Sequence, residues 1–250
     1  MGIATEMKGA AEGTGGPASV AADAAGAKSA KVASPRQRLK AMMREEILTA
    51  ARGLVQEGGV QALSMRALGR AVGVTAPTLY DYFASKEEVL DALYLEGTTR
   101  LRAAMEEAIA RTEPGRERLR ALAQAYRRFA LADPDLYLLI FGRVDASYRP
   151  GDAELECGLG VFELAVEANR EAIARGELRP GDPATMAFAA WALAHGIVTL
   201  EICGMANKCG DVSPEDAYTA SLDLLFQGTG VVPAAEQADA SGPGRMSQTG

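Results

Sequence analysis

The sequence predicts an all-α protein, and three features of the 250-residue chain favour this class. Apolar residues recur three or four positions apart through most of the chain, a spacing that gives an α-helix one buried face. No segment alternates apolar and polar residues for long enough to require a β-strand. Prolines and glycines divide the periodic segments at intervals typical of helix starts and ends, so we expect about nine helices.

The first predicted helix precedes a pair of glycines. Its apolar residues step by 4, 4, 3 and 4 positions, which would place them on a single buried face: Leu39, Met43, Ile47, Ala50 and Leu54. Gly58-Gly59 then predicts the end of the helix, because glycine readily adopts the left-handed conformation that terminates helices.

Two short helices are predicted within 63–86. In the first of them, Met65, Leu68 and Val72 form one apolar stripe. Ser64 stands just before this stripe, where its side chain can cap the helix. A Gly-Val dipeptide follows the stripe and predicts a tight turn.

The second short helix begins after this turn. Thr75 can cap it, and Pro77 suits its first turn because a missing N–H costs nothing there. Leu79 and Phe83, four residues apart, are expected to dock it onto the first helix. The same helix would also carry Thr78, Tyr80 and Tyr82.

Longer helices are predicted to fill the rest of the chain. The segment 86–111 should link the N-terminal helices to the body through an apolar side made of Val89, Leu90, Leu93, Leu101, Met105 and Ile109. Prolines and glycines mark the later starts and ends, which predicts helices near 115–132, 134–145, 152–175, 183–204 and 214–227.

The segment 183–200 needs a separate test, because its 18 residues carry no formal charge and approach the length of a membrane span. Six of these residues are alanine, and polar positions interrupt the rest, so the hydrophobicity is too weak to predict insertion. A helix that is apolar on all sides must then be covered on one face by its own domain and on the other by something else. We expect a second copy of the chain to be that cover.

Both ends of the chain have the composition of disordered segments. Residues 1–34 are rich in Ala and Gly and hold no apolar run long enough for a signal peptide, and 229–250 are rich in Gly, Ala, Pro, Ser and Gln. The sequence therefore predicts a folded region divided into a small head at 35–85 and a larger body at 86–228.

Charge is distributed unevenly along the chain. The whole sequence has 26 basic and 33 acidic residues, a net charge of −7. Between positions 31 and 86, however, nine basic residues stand against four acidic ones, which gives this segment a net charge of +5. A phosphate backbone would thus be attracted to one end of the molecule.

Two short helices joined by a tight glycine turn are the arrangement of a helix-turn-helix. Such a pair can place its second helix in a DNA major groove, with residues of its first turn against base edges. Together with the local positive charge, this pattern predicts double-stranded DNA as a partner.

The run from Arg44 to Lys86 resembles the TetR family of bacterial transcriptional regulators. The similarity is carried, in order, by Ile47-Leu-Thr-Ala-Ala-Arg, Gly58-Gly59, Ser64-Met-Arg-Ala-Leu, Gly73-Val74-Thr75, Pro77-Thr78-Leu79-Tyr80 and Phe83-Ala-Ser-Lys86. The resemblance implies a DNA-binding domain at 35–85 and a ligand-binding and dimerisation domain at 86–228. It also implies a homodimer formed through helices 183–204 and 214–227, which would read the two arms of a palindromic operator.

A shorter motif in the body adds a second resemblance. Trp191, His195 and Gly196 resemble the signature of a C-terminal domain subgroup named WHG for its Trp, His and Gly.

Family resemblance also implies individual DNA contacts. The predicted DNA-binding residues are Ser64, Arg66, Thr75, Ala76, Thr78, Tyr80, Tyr82 and Lys86. Arg66 matches the position where the tetracycline repressor reads a base with an arginine, and arginine can hold guanine O6 and N7 together. Tyr80, Tyr82 and Lys86 match positions that contact the sugar–phosphate backbone in family members.

Other interpretations stay open for several of these residues. Arg66 could instead be a surface arginine in contact with solvent only. Thr75 could serve only as a helix cap, and Tyr80 could be an aromatic side chain in the small core of the head. Asp81 departs from the aromatic residue of some members and would repel a phosphate, which leaves the rotation of this helix on DNA open.

A small-molecule pocket in the body is a further implication of the resemblance. Aromatic and soft side chains from several predicted helices suit a mostly apolar effector with one or two polar anchors: Tyr126, Phe129, Tyr137, Phe141, Phe162, Met186, Trp191 and His195. The alternative for each residue is ordinary core packing, and for His195 a hydrogen bond inside the bundle. Ligand binding would shift the 86–111 helix from one position to another and so change how well the two heads fit the DNA. In the family this change usually releases the protein from DNA, as in a repressor.

No pattern of catalytic or metal-binding residues is present. The sequence holds no G-x-S-x-G, no H-E-x-x-H, no phosphate-binding glycine loop and one histidine, so we expect neither an enzyme nor a cofactor. Cys157, Cys203 and Cys209 form neither a CxxC pair nor a metal set, and an odd count fits a reduced, cytoplasmic compartment. The alternative to a regulator is a nonspecific nucleoid-associated or scaffold protein, which would bind random and palindromic DNA equally.

Overall fold

The computed structural model describes residues 34–142, 148–205, 208 and 213–229. Over these ranges it contains nine α-helices and no strand, which confirms the predicted fold class. The helices are α1 (Pro35–Ala62), α2 (Met65–Ala71), α3 (Ala76–Leu79), α4 (Lys86–Ala110), α5 (Arg116–Ala132), α6 (Pro134–Phe141), α7 (Asp152–Ala174), α8 (Pro183–Ile202) and α9 (Pro214–Thr229). Apart from their innermost residues, the predicted disordered ends, 1–34 and 229–250, lie outside the described residues.

Side-chain caps and prolines determine where several helices begin. At α1, Ser34 Oγ accepts the Gln37 N–H at 3.2 Å, Gln37 Oε1 accepts the Ser34 N–H at 2.8 Å, and Pro35 follows directly. Asp133 and Asp182 cap α6 and α8, each immediately before a proline. The predicted starts of α6 and α8 are therefore confirmed.

Helix α1 differs from the prediction at both ends. Gly58 (φ −150°) and Gly59 (φ +68°) are not helical, so the helix breaks where predicted, but a further turn continues to Ala62. The prediction that Leu39 belongs to the buried face is wrong, since this side chain is 65% exposed. The buried side chains of α1 begin only at Ile47, because the first turns of the helix extend past the helices on which it packs.

Helix α3 is shorter than predicted. Only Ala76–Leu79 is helical, and Tyr80 and Tyr82 lie in the tight turns that follow. The N–H groups of Tyr82 and Phe83 both donate to the Leu79 carbonyl at 2.9 Å. These hydrogen bonds tighten the end of the helix and direct Phe83 into the core.

Helix α4 is the central element of the fold, since it packs against α1, α5, α6 and α7. Its buried side contains the predicted residues Val89, Leu90, Leu93, Leu101 and Met105, while Ile109 is half-buried. The helix thus contacts both the N-terminal helices and the body.

The later helices follow the prediction with small shifts. Helix α6 ends at Phe141 rather than near 145, and positions 143–145 lie outside the described residues. Helix α8 ends at Ile202 because Gly204, with φ +67°, cannot continue it.

By length and composition alone, α8 could cross a membrane, and it is the one such helix in the described part of the chain. Only 17% of the 18-residue apolar stretch of this helix is buried within the chain. Helices α5, α7 and α9 cover one side, and the other side is open, as the sequence predicted.

Candidate nucleic-acid interface and effector site

Two glycines shape the turn between α2 and α3. Gly73 adopts φ +71°, and the Val74 N–H donates to the Gly69 carbonyl at 2.9 Å. A Cβ on Gly69 would lie 2.8 Å from the Val74 carbonyl oxygen, so a larger residue would push α2 away from the turn. Gly73 was predictable from the sequence, whereas the role of Gly69 depends on a contact that no local pattern signals.

Helix α3 and the residues beside it bury apolar side chains and expose Thr75, Pro77 and Thr78. Leu79 is fully buried and α3 packs against α2, which confirms the predicted docking of this helix. Phe83, which follows α3, is also fully buried. Thr75 occupies the N-cap position, but the prediction of a capping hydrogen bond is wrong. Its Oγ1 lies 2.9 Å from Thr78 Oγ1 instead, so the two hydroxyls bond to each other on the exposed side.

The predicted DNA-binding residues lie on the surface of the head to different degrees. Ser64, Arg66, Thr75, Thr78 and Tyr80 are exposed, and Ala76, Tyr82 and Lys86 are half-buried. Ser64 Oγ accepts the Ala67 N–H at 3.1 Å, which confirms it as the cap of α2. Tyr80 is 54% exposed, so the alternative that places it in the core of the head is wrong.

Arg44 of α1 holds the segment between α3 and α4 in place. Its guanidinium donates to the Tyr82 carbonyl, lies 3.9 Å from the Phe83 ring centroid and pairs with Glu88 at 3.4 Å. This role could not be predicted, because the contacted carbonyl is 38 residues away in sequence.

In the body, four polar side chains meet at one point. His195 Nδ1 lies 2.7 Å from the Tyr137 hydroxyl and 3.1 Å from the Tyr126 hydroxyl. Trp191 Nε1–H donates to the Tyr126 hydroxyl at 3.1 Å, and the two tyrosine hydroxyls are 3.3 Å apart. These residues come from α5, α6 and α8, so the hydrogen bonds join three helices.

Aromatic rings surround this polar centre. The Phe141 ring centroid lies 5.3 Å from that of Tyr137, 5.7 Å from Tyr126 and 5.8 Å from Trp191. Phe162 of α7 lies 6.1 Å from Trp191. We call Tyr126, Tyr137, Phe141, Phe162, Trp191 and His195 the aromatic cluster.

Six of the eight predicted pocket residues are joined by hydrogen bonds and ring contacts, and the other two belong to the same hydrophobic core. Phe129 is buried in α5, and Met186 is half-buried beside Gly181. Within the described ranges, neither makes a hydrogen bond or ring contact with the aromatic cluster. Thr199, which was not predicted, lies one turn after His195 and places its Oγ1 3.5 Å from the Tyr137 hydroxyl.

Burial keeps the aromatic cluster uncharged. Desolvation raises the pKa of Tyr126 and of Tyr137 and lowers the pKa of His195. The imidazole is therefore mostly neutral at pH 7. A consistent donor chain runs from Trp191 Nε1 through the two tyrosine hydroxyls to His195 Nδ1, which assigns the imidazole proton to Nε2.

Helix α6 connects the aromatic cluster with the head. It carries Tyr137 and Phe141 and packs on both α4 and α1. A Cβ on Gly97 of α4 would lie 2.6 Å from Ile140 Cδ1 and 3.0 Å from Leu136 Cγ. The glycine therefore permits the close approach of α6 to α4.

A chain of ion pairs crosses the same junction. Arg52 of α1 pairs with Glu96 of α4, and Arg100 lies 3.8 Å from Glu96 and 3.2 Å from Asp133. Asp133 also caps α6, since its Oδ1 accepts the Leu136 N–H at 3.3 Å. A movement of α6 would therefore act on α1 through charged as well as apolar contacts.

Helices α8 and α9 present an apolar surface that the described part of the chain does not cover. Phe188 and Leu200 of α8 and Leu224 of α9 are exposed, with Ala192 and Gly196 exposed between the first two. A Cβ on Gly196 would meet nothing within 4 Å. We call these five residues the open face, which is suited to close packing against another helical surface.

Two family models match the chain. Residues 47–93 match the one described as bacterial regulatory proteins, tetR family, and residues 119–225 match the one described as tetracyclin repressor-like, C-terminal domain. The chain belongs to the TetR family. The DNA-binding motif of this TetR-family regulator and its helical body are thus both recognised by their sequence.

Similarity to known proteins extends over most of this TetR-family chain. It is 24% identical over 218 residues to an HTH-type transcriptional regulator of Mycobacterium tuberculosis, covering 76% of this chain and 93% of the relative. It is 28% identical over 193 residues to the HTH-type transcriptional activator FasR of Mycolicibacterium smegmatis, covering 76% and 84%. A solved structure of a protein with unknown function from Rhodococcus sp. RHA1 is 34% identical, with a TM-score of 0.68, and covers 76% of this chain and 96% of that one.

Family membership confirms the broad functional prediction. The protein is a transcriptional regulator of the ligand-responsive type and not an enzyme. TetR-family regulators bind DNA and function as dimers with small-molecule effectors. The WHG subgroup stays a prediction, because the matching C-terminal model is described only as tetracyclin repressor-like.

The cysteines have separate environments. Cys157 is half-buried, with the Thr98 hydroxyl 3.4 Å from its Sγ, and Cys203 is exposed. Cys209 lies outside the described residues. In the part of the chain that the structure describes, no group of three metal-ligating side chains lies together.

Proposed function

We propose that the protein is a cytoplasmic repressor that binds a palindromic operator as a homodimer and leaves it when a small, mostly apolar effector binds in the body. The observation that carries this proposal is the position of α6, which supplies Tyr137 to the aromatic cluster and packs on both α4 and α1. An effector that separates the rings of the cluster therefore displaces a helix in contact with the head.

The DNA-binding domain comprises residues 35–85, and the start of α4 adds to its surface. In this proposal Arg66 reads a guanine edge, which its exposure on α2 allows. Thr75, Ala76 and Thr78 lie against bases or phosphates, and Tyr80, Tyr82 and Lys86 lie along the sugar–phosphate backbone. Ser64 supports Arg66 by holding the first turn of α2.

Residues 86–228 form the ligand-binding and dimerisation domain in this proposal. The open face meets its copy across a two-fold axis, which sets the spacing between the two heads. Small residues such as Ala192 and Gly196 favour this pairing, because they allow helix backbones to approach closely.

The proposed effector is a mostly apolar molecule that carries a hydrogen-bond acceptor. Phe141, Phe162 and Trp191 supply ring surface, and neutral His195 offers its Nε2–H as a donor. Phe129 of α5 and Met186 of α8 complete the proposed lining. Because the rings are in direct contact, the effector must move some of them apart.

Modest energies are enough for this regulation. If the free energy of effector binding differs by about 1–3 kcal/mol between two positions of α4 and α6, the DNA affinity changes about 5- to 150-fold. The same coupling would make DNA weaken effector binding by an equal factor.

Trp191 allows a direct test of effector binding, because it is the only tryptophan of the chain and lies in the aromatic cluster. Mostly apolar molecules with and without an acceptor group would be screened for a change in its fluorescence. Molecules that change it should also release the protein from operator DNA in a gel-shift assay, and His195→Gln should weaken their binding. Fluorescence changes that never alter DNA binding would contradict the proposed coupling.

Repression needs its own test, since the relative FasR is named an activator. A reporter gene placed behind the operator should be transcribed more strongly when the protein is absent. Weaker transcription in its absence would replace the repressor with an activator.

A further inference from the structure

The first turns of α1 extend beyond the start of α4, one of the helices on which α1 packs. Arg44 of α1 pairs with Glu88 of α4 and, eight residues later in both helices, Arg52 pairs with Glu96. The two helices therefore run parallel in a constant register. Helix α4 starts level with position 42 of α1, so the seven residues before that position extend about 10 Å further at 1.5 Å per residue.

We call residues 35–42 the α1 overhang, and every residue in it is exposed. It contains Arg36, Arg38 and Lys40 and no acidic residue. Among the described residues, none of these three cations pairs with a carboxylate, in contrast to Arg44 and Arg52. In helical geometry Arg36 and Lys40 share one side and Arg38 lies on the other, so the overhang is basic around its axis and its charges are open to a partner.

The overhang points away from the body. Helix α4 runs from the head into the body, so its first residue faces away from the body, and the parallel register gives α1 the same direction. The contacts of Arg44 with Tyr82 and Phe83 place the segment after α3 at the base of the overhang. The overhang and the DNA-binding motif consequently lie at the same end of the molecule.

We propose that the α1 overhang is an additional DNA-binding element that contacts phosphates outside the bases read by α2 and α3. This inference rests on DNA binding by the head. DNA fits the overhang better than a membrane does, because only two large apolar side chains, Leu39 and Met42, accompany the three cations. It also fits better than a second copy, since the adjacent helix-turn-helix itself brings phosphates to this end of the molecule.

Salt dependence measures such contacts directly. Each neutralised phosphate of duplex DNA adds about 0.9 to the slope of log K against log salt concentration. The full-length variant R36A/R38A/K40A would be compared with the wild type on an operator duplex and on a scrambled duplex of the same composition. Because a dimer carries two overhangs, the slope should fall by about two to five on both duplexes. The ratio of operator to scrambled affinity should stay unchanged.

Two control variants separate phosphate contact from other effects. R128A/R179A/K208A removes three exposed cations of the body and should keep the wild-type slope. R36K/R38K keeps the positive charge and should also keep the wild-type salt slope. A slope change below about two for R36A/R38A/K40A, an equal change in the body variant, or a change in oligomeric state instead of slope would overturn the inference.

Failure of this inference differs visibly from failure of the proposed function. If the wild type prefers no inverted repeat, the proposed function fails, and the scrambled duplex still tests the overhang. If the wild type prefers an inverted repeat and the slope is unaltered in R36A/R38A/K40A, only the overhang inference fails.

Discussion

Two cations of the predicted DNA-binding surface, Arg66 and Lys86, are expected to act on DNA in different ways. Arg66→Ala should weaken operator binding by about 1–3 kcal/mol and relax the preference at one base pair, because a bidentate contact to guanine is lost. Lys86→Ala should weaken binding to all sequences alike and lower the salt slope by about one per contact. Competition gel shifts with single-base operator variants would measure both effects.

The matched control for these substitutions is Arg179→Ala, which removes an exposed arginine of the body. It should leave both affinity and base preference unaltered. Wild-type behaviour of Arg66→Ala on every operator variant would favour the alternative of a solvated surface arginine.

His195 is the only histidine of the chain, so its imidazole can be titrated without interference from other imidazoles. Since burial lowers its pKa in the folded protein, the folded state binds a proton less readily than the unfolded state does. The corresponding stability is fully present above the unfolded pKa of about 6.5 and is lost as the pH falls through the lower folded value.

Proton NMR of the imidazole should therefore show a midpoint below that of the same histidine in urea. His195→Gln should reduce the loss of thermal stability between pH 7.5 and pH values just below the folded midpoint. A folded midpoint equal to or above the unfolded one would contradict a desolvated imidazole in the aromatic cluster.

At the scale of elements, helix positions were largely predictable and helix contacts were not. Ser34, Asp133 and Asp182 are caps beside prolines, so local chemistry sets the starts of their helices. The exposure of Leu39 could not be read from spacing, because the same pattern serves a helix that extends past its partner. The short α3 depends on the burial of Phe83, a tertiary contact.

Gly97 is expected to set the position of α6 on α4. Gly97→Ala would place a Cβ 2.6 Å from Ile140 Cδ1 and displace α6 in the way proposed for an effector, so operator affinity should fall about 5- to 150-fold. Gly53→Ala is the matched control, since its Cβ would meet nothing within 4 Å inside α1. Gel shifts and thermal melts of both variants would be compared.

Helix propensity predicts that Gly53→Ala is neutral or stabilising by up to about 1 kcal/mol. Equal operator affinities for Gly97→Ala, Gly53→Ala and wild type would show that α6 does not control the head.

At the scale of the whole molecule, the open face should determine the oligomeric state. Ala192→Arg and Gly196→Arg add a long charged side chain to a surface that the described residues leave open, so each monomer should fold while the dimer dissociates. Ala103→Arg, an exposed position of α4, is the matched control and should remain dimeric. Sedimentation velocity at micromolar concentration would measure the difference.

Dimeric Ala192→Arg and Gly196→Arg variants would place the interface elsewhere. Loss of the dimer should also lower operator affinity steeply, because one head then reads only one half-site.

The candidate sites were predictable to different extents. The surface of the head followed from a motif whose residues are close in sequence, from Ser64 to Lys86. The aromatic cluster joins α5 to α8 across 69 residues, so its members were proposed from composition and family resemblance. Phe129 and Met186 belong to the same hydrophobic core, and their place in the pocket stays a prediction. Arg44, Gly69 and Gly97 escaped prediction because their roles exist only in the folded chain.

Selection of genomic DNA fragments by the purified full-length protein tests the central claim most directly. The selected fragments should share an inverted repeat whose half-sites are about one helical turn apart, since two heads on a two-fold axis read equivalent sequences. Fragments without a common inverted repeat, bound no better than random DNA at physiological salt, would contradict sequence-specific operator recognition by a dimer.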